Sequence, residues 1–408
     1  MAIRVLHVLD HSWPVLDGYS QRSRSILAAQ KALGLQPAVL TSPLHNLDDP
    51  GAAEAALDGI QHYRVPNGSG LLWSAIRRRR PLLREAAVVR FLEKRIVSLL
   101  STGAFDLVHA HSPALCGLAA LRAARRRRVP FVYEIRAFWE DGGAHSSGSW
   151  RYRLARGLET YVARRAGATV AISAPMLRDL ASRGVPEARL FCVPNGVDAK
   201  KFTPRPRDAA LSASLGLNGT PTLGFLGTLF PWEGVPWLVH AAAALHSRGL
   251  RFKLLIVGDG AESGGIRAAI ENERAGDYVS YLGRVPFEDV QRYYSTMDVL
   301  VYPRPSLRLT EFVTPLKPLE AMALAKPVLG SAVGGIRELL EPGVTGELFE
   351  PGNTEDFCRQ AARLLQDAVL RSALGERARE SAVRERDWSR IVMRYQAAYQ
   401  SAVEHAAA

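Results

Sequence analysis

Along nearly its whole length the chain repeats one pattern, a short apolar run followed by a longer amphipathic one. VLHVL precedes SRSILAAQKALG, FDLVHAH precedes ALCGLAALRAARRRR, and ATVAIS precedes APMLRDLASRG. The second half does the same, with PTLGFLG before WLVHAAAALHSRG, FKLLIVGDG before GGIRAAIENERAG, and VSYLGRV before FEDVQRYYSTM. Strands of about five residues alternating with helices of about ten to fifteen are the signature of βαβ units on a parallel sheet. With 408 residues and 47% hydrophobic content the chain can fill two such cores. The expected fold is therefore α/β, with two doubly wound, Rossmann-like domains. Residues 193–221, VPNGVDAKKFTPRPRDAALSASLGLNGTP, are rich in Pro, Gly, Asn and charge and read as the connection, with a boundary near 205–217. This gives domains at 1–205 and 206–385. The closing stretch, 386–408, puts Trp388, Ile391, Val392, Tyr395 and Tyr399 on one helical face and needs a surface to cover, expected on the N-terminal domain. Doubly wound domains bind ligands at the carboxyl ends of their strands, and two that face each other enclose an interdomain cleft.

Lys and Arg number 52 against 40 Asp and Glu, a net charge of +12. That balance favours a polyanionic partner: nucleic acid, an acidic membrane face or a phosphorylated substrate. No nucleic-acid recognition motif or interleaved aromatic ladder is present, so a nucleic-acid-binding protein stands only as a rival reading. Cys116, Cys192 and Cys358 lack metal-ligand spacing and read as reduced thiols of a cytoplasmic protein. IRVLHVLD reaches Asp10 too soon for a signal peptide, and no apolar run approaches the ~20 residues of a membrane span. Two arginine runs remain, GLLWSAIRRRRPLL at 70–83 and Arg125–Arg128. Either is a solvated face, or, as Trp73 and the leucines of the first run suggest, the protein attaches peripherally to the anionic inner face of the plasma membrane.

The loops after the strands are where function would sit. DHSWPVLDGYSQRSRSIL places Gly18 just before a helix, as a plain turn or as a place where backbone N–H groups approach an anion. Neither it nor VGDG, with Gly258, has the spacing of a dinucleotide fingerprint. HAHSP sets His109 and His111 on one face of a strand, with no third ligand at a usual spacing, so a hydrogen-bonded or substrate-contacting pair is expected rather than a metal site. YEIRAFWED gathers Glu134, Arg136, Trp139, Glu140 and Asp141, a pocket loop unless Trp139 merely caps a small apolar cluster. The most charged loop is PRPSLRLTEFVTPLKPLEAMA, residues 303–323. Leu319, Met322 and Ala323 fit the buried side of a helix beginning near Pro318, which puts Lys317 and the N–H groups of Thr314, Leu316 and Lys317 at its positive end. With Arg304 and Arg308 they form a counter-set for a diphosphate, while Glu320 suits the hydroxyls of a ribose.

NGVD with Phe202, VGDG, YLGRV, DVLVYP and above all PLKPLEAMALAKPVLGSAVGG with Glu338 resemble family 4 of the retaining, GT-B-fold glycosyltransferases. LHVLDHSWPVLDGYSQRSRSIL, YEIRAFWED and LTEFVTPLKPLEAMA resemble most its exosortase-associated branch, found beside bacterial exopolysaccharide genes. The resemblance implies a nucleotide-sugar donor in the C-terminal domain and a lipid-linked or oligosaccharide acceptor in the N-terminal one. It implies neither metal nor cofactor, with the leaving diphosphate helping to deprotonate the acceptor. It also implies that Glu320 binds the donor ribose, that the N–H groups before it meet the diphosphate, that the Gly18 loop closes over the phosphates, and that Leu282, Gly283 and Arg284 border the base. The chain departs from the family at several positions. Phe312 stands where most members have Glu, leaving Glu311 one residue out of register; Pro315 replaces a common Gly; Arg136 replaces a His of the catalytic region. In GTLFPWEG, which opens on Gly227, Thr228 and Glu233 stand for a donor-phosphate Arg and Lys. The expectation is that Arg304, Arg308 and Lys317 take over the diphosphate, that Arg136 contributes from across the cleft, and that Arg136, Glu311 and Lys317 are the catalytic set. A sugar-nucleotide epimerase of the same fold would need no acceptor, and a phosphorylase would need a pyridoxal lysine, for which there is no candidate.

Overall fold

A computed structural model describes residues 2–15, 17–45, 54–65, 74, 81–141, 148–217 and 219–407. Most of the arginine run at 70–83 lies outside them. The chain forms two compact units, Met1–Pro194 together with Trp388–Ala408, and Asn195–Asp387. Among the described residues no helix is long and apolar enough to cross a membrane.

The first unit is built on eight strands: β1 Arg4–Leu9, β2 Gln36–Thr41, β3 Glu54–Leu57, β4 Ile60–Tyr63, β5 Leu107–His111, β6 Phe131–Ile135, β7 Ala168–Ala171 and β8 Leu190–Cys192. Their order is β3-β4-β2-β1-β5-β6-β7-β8, and every neighbouring pair is parallel except β3 with β4. The inner strands read as near-continuous apolar runs because helices cover both faces. The β3–β4 hairpin was not anticipated. Its signal is Asp58-Gly59, whose φ of 53° and 67° make the tight two-residue turn that joins antiparallel strands. The closing segment, with Trp388, Ile391, Val392, Tyr395 and Tyr399 all buried, belongs to this unit.

The second unit has six parallel strands, β9 Thr222–Leu226, β10 Lys253–Val257, β11 Val279–Tyr281, β12 Val299–Tyr302, β13 Val328–Ser331 and β14 Glu347–Phe349, in the order β11-β10-β9-β12-β13-β14. It begins at Asn195, upstream of the expected boundary. The reason is packing: the Val197 N–H donates to the Arg386 carbonyl at 2.8 Å, and Val197 and Phe202 join the apolar core of this unit. Chain order reverses between β9 and β12, and there a doubly wound sheet opens a crevice at its carboxyl edge.

Candidate functional site

Three glycines line the carboxyl edge of the second sheet. The Gly227 N–H donates to the Val257 carbonyl at 2.9 Å, and the Gly258 N–H to the Gly283 carbonyl at 2.8 Å, so the loops after β9, β10 and β11 are stitched together. Gly227 and Gly258 have φ of 141° and 139°. A Cβ on Gly227 would meet the Lys317 side chain, and one on Gly258 the Gly227 carbonyl. Here glycine permits a close approach that other residues would block.

The helix beside these loops spans Leu316–Ala323 and starts two residues before Pro318, the expected start. Pro315 is its N-cap and offers no side-chain bond, so the N–H groups of Leu316 and Lys317 keep no intrahelical partner. Pro318, at the third position, has no N–H to leave unpaired. Glu320 falls in the second turn, beyond the reach of the dipole at the helix start. What governs it is burial, which pushes its carboxyl up to about 7 against the opposing pull of the Tyr294 hydroxyl, 3.1 Å away, and the Lys317 charge.

Lys317 projects back across Gly227. Its Nζ donates to the Thr228 carbonyl at 3.0 Å, lies 2.9 Å from Glu233 Oε1 and sits 5.1 Å from the centre of the Phe225 ring. Burial lowers its pKa, and Glu233 opposes the shift. Glu233 has a role the sequence left open. Its Oε1 is shared with Arg304 Nη2 at 3.5 Å, and although burial pushes its carboxyl up, the charges of Lys317 and Arg304 hold it below the usual range. Its Oε2 is buried with no hydrogen-bond partner.

The other expected residues are placed as follows. Arg304 is buried, and its Nη1 donates to the Val313 carbonyl at 3.1 Å, so it braces the loop as well as carrying charge. Arg308 lies over the Phe312 ring at 4.4 Å. Glu311 is engaged on both oxygens, with the Ser306 hydroxyl and the Gly334 N–H each donating at 2.7 Å. A Cβ on Gly334 would collide with it. Glu311 thus clamps the start of the helix Gly334–Arg337 rather than reaching outward. Thr314 is buried, its carbonyl accepting from Asn195 Nδ2 while its hydroxyl has no partner.

In the first unit, Gly18 opens the helix Gly18–Ala32, but Asp17 already caps it by accepting from the Ser20 N–H. His11 Nε2 lies 2.7 Å from Asp17 and its Nδ1 3.3 Å from Asp10. Burial lowers the His11 pKa, and these two carboxylates outweigh it, raising the group to about 9. The N-terminus expected to meet an anion therefore holds a carboxylate of the chain itself.

Arg136 is buried, donating from Nη1 to the Tyr19 carbonyl and the Ser23 hydroxyl and from Nη2 to His111 Nδ1, each at 2.8 Å. A third imidazole joins the expected pair, because β1 and β5 pair with His7 opposite His109. A guanidinium only donates, so the bonding directions follow. His111 Nδ1 accepts from Arg136, and its Nε2–H faces His7 Nδ1 at 3.0 Å. His7 Nε2–H then faces Gln30 Oε1 at 2.8 Å, Gln30 Nε2 donates to the Tyr399 hydroxyl at 2.7 Å, and that hydroxyl faces His109 Nδ1 at 3.0 Å. His109 Nε2 ends 3.3 Å from Glu134, which lies 3.3 Å from Arg136 Nε, closing a ring. Burial lowers all three histidines and keeps them neutral. Burial pushes Glu134 up, but Arg22 at 2.9 Å and the histidines hold it well below the carboxylate range. The imidazoles are close enough to share an ion. However, Arg22 and Arg136 already exceed the charge of Glu134, and a dication here would add to an unbalanced positive charge. Of the YEIRAFWED segment, expected as a pocket loop, Glu134, Arg136 and Glu140 are buried. A cavity of about 410 Å³ in the same unit is lined by Trp13, Leu27, Lys31, Ile60 and His62 among others.

Residues 17–196 match the family described as "Glycosyl transferase 4-like domain" and residues 220–367 that described as "Glycosyl transferases group 1". The chain is 28% identical to a GDP-mannose-dependent alpha-mannosyltransferase of Mycobacterium tuberculosis (strain CDC 1551 / Oshkosh), over 92% of this chain and 91% of that protein. It is 31% identical to the D-inositol 3-phosphate glycosyltransferase of Geodermatophilus obscurus, over 75% and 68% of the two chains. Among solved structures, sucrose-phosphate synthase from Thermosynechococcus elongatus superposes with a TM-score of 0.79 at 20% identity, covering 100% of both chains. Anabaena HepE in complex with UDP and glucose does so with a TM-score of 0.75 at 19% identity, over 98% of this chain and 100% of that one. With its two doubly wound units and these relatives, the chain belongs to the GT-B-fold glycosyltransferases of family 4.

Proposed function

We propose that the protein is a retaining glycosyltransferase that moves a sugar from a nucleotide-diphosphate donor held by the second unit to a lipid-linked glycan taken by the first. Its motifs suggest bacterial exopolysaccharide synthesis and the exosortase-associated branch. The observation that carries the reading is the helix start at Leu316, whose uncapped N–H groups and Lys317 stand beside the stitched glycine loops, with Glu320 one turn further on. The N–H groups and Lys317 would receive the diphosphate and Glu320 the ribose diol. Arg304 and Glu233 would hold Lys317 in place, and Arg308 would add charge from the loop. In the first unit, Arg136 acts by positioning its neighbours. In the transfer, the bond between the anomeric carbon and the diphosphate oxygen breaks, the acceptor oxygen bonds to that carbon on the same face, and its proton passes to the departing diphosphate. Charge stabilisation by preorganised donors is the protein's contribution, and we expect no divalent ion to be required, so EDTA should leave the rate unchanged. Peripheral attachment to an anionic membrane would bring the protein to a lipid-linked acceptor.

The test is release of nucleoside diphosphate from a panel of nucleotide sugars, with and without membrane extract. Lys317→Ala and Glu320→Gln should each lower kcat/KM by about ten- to a hundredfold, the loss of roughly 1.4–3 kcal/mol. Unchanged kinetics in both would end the donor-site reading. Release that does not depend on an acceptor, accompanied by a rearranged donor sugar, would favour an epimerase. An inverted anomeric centre in the product would remove the retaining mechanism.

A further inference from the structure

The helix Trp150–Arg165 of the first unit turns Ala155, Glu159, Val162 and Ala163 inward. On the opposite side Trp150, Leu154 and Tyr161 are 58%, 50% and 40% exposed. Spacings of four and seven residues put all three on one line along the helix. Gly157 falls on the same line and leaves open space, so no polar side chain interrupts the stripe. At roughly 100° per residue, Arg153 and Arg164 flank it on one side and Arg151 and Arg165 on the other. Arg165 lies 3.9 Å from the Tyr161 ring centre and Arg151 5.2 Å from that of Trp150. The sole carboxylate of the helix, Glu159, is buried and bonded to the Tyr133 hydroxyl and the Trp139 N–H, each at 2.7 Å. The arginines of the helix form no ion pair among the described residues. The neighbouring helix Ala114–Arg127 packs alongside and likewise runs back against the parallel strands, so exposed Arg125–Arg128 share an end with Arg164 and Arg165.

A basic face alone would suit any polyanion. This one also holds Trp, Leu and Tyr in water, and its partner must remove both costs. A nucleic-acid backbone would answer only the charges, and a second copy of the chain would set the same arginines against one another. An anionic bilayer offers phosphates to the arginines and an acyl boundary to the stripe. We propose that the helix Trp150–Arg165 lies flat in the headgroup layer of an anionic membrane and is the docking face of this protein. The inference supplies a surface for the membrane attachment suggested above, but it rests on this helix and not on the donor site.

Flotation of the full chain with vesicles of phosphatidylcholine alone, and with about one-third phosphatidylglycerol, tests it. The protein should float with the anionic vesicles, at low salt more than at high. The triple variant Trp150→Ser, Leu154→Ser, Tyr161→Ser and the double variant Arg153→Glu, Arg164→Glu should each partition at least about tenfold less. Both change only surface groups, and circular dichroism should confirm their folding. Failure of the natural chain to float, or wild-type flotation by either variant, overturns the proposal. So does a dimer of the natural chain that the triple variant dissolves without any vesicle binding. Binding to a DNA or RNA duplex equal to vesicle binding would overturn it as well. Donor hydrolysis without acceptor, measured in parallel, should be the same in all variants, which separates failure here from failure of the transferase reading.

Discussion

Glu320 and Glu233 show how one residue type is pushed in opposite directions within a single unit. Burial raises Glu320 to about 7, whereas the charges of Lys317 and Arg304 overcome the same burial at Glu233. If Glu320 accepts from a ribose diol as a carboxylate, donor KM should rise as pH falls below about 7, and Glu320→Gln should lose that dependence. Parallel KM–pH curves for the two proteins would count against the assignment. His11 gives a stability test with the opposite sign. Its folded value of about 9 exceeds the ~6.5 of a free imidazole, so its contribution is complete below ~6.5 and disappears as pH rises through 9. An NMR titration should find its midpoint near 9, and Asp17→Asn should bring it down towards ~6.5. That Glu320 lies on a helix could be read from the chain, since the apolar spacing of Leu319, Met322 and Ala323 is a local pattern. Glu233 could not be assigned, because its partners lie far away in the chain and a substitution of Lys by Glu looks like a loss until Lys317 is seen to meet it.

At the level of elements, the strands and helices of both sheets follow from apolar periodicity, while strand pairing does not. His109 and His111 were legible as a same-face pair. His7 joined them only through the β1–β5 register, and Gln30 and Tyr399 came from two helices. The helix at 316–323 was also misplaced by two residues, because Pro318 suits a first helical position and Pro315 proved a better boundary. The ring makes the final helix a structural partner of β5 and β6. Tyr399→Phe would leave Gln30 Nε2 without its acceptor and His109 Nδ1 without its donor, at a cost of about 1–3 kcal/mol. Urea unfolding followed on the first unit should show that loss, and an unchanged midpoint would mean the ring contributes nothing.

For the molecule as a whole, periodicity foresaw two bodies, but the division at Asn195 depended on Val197 and Phe202 packing into the second core, which composition does not reveal. The chain leaves the first unit at Pro194 and returns to it at Trp388, so the second unit is an insertion. Residues 195–387 expressed alone should fold cooperatively, whereas a chain ending at Asp387 should retain that transition and lose the one belonging to the first unit. Differential scanning calorimetry distinguishes the two, and a truncated chain with both transitions intact would contradict the division.

During synthesis, every component of the buried ring except Tyr399 emerges early and must wait, imidazoles and glutamate together, while the whole inserted unit is made. A chain released after Asp387 and before Trp388 has its inserted unit finished, while its first unit holds unsatisfied polar groups at its centre. The last helix therefore serves as a completeness check, and nascent chains cut short should be open to proteolysis at the end made first.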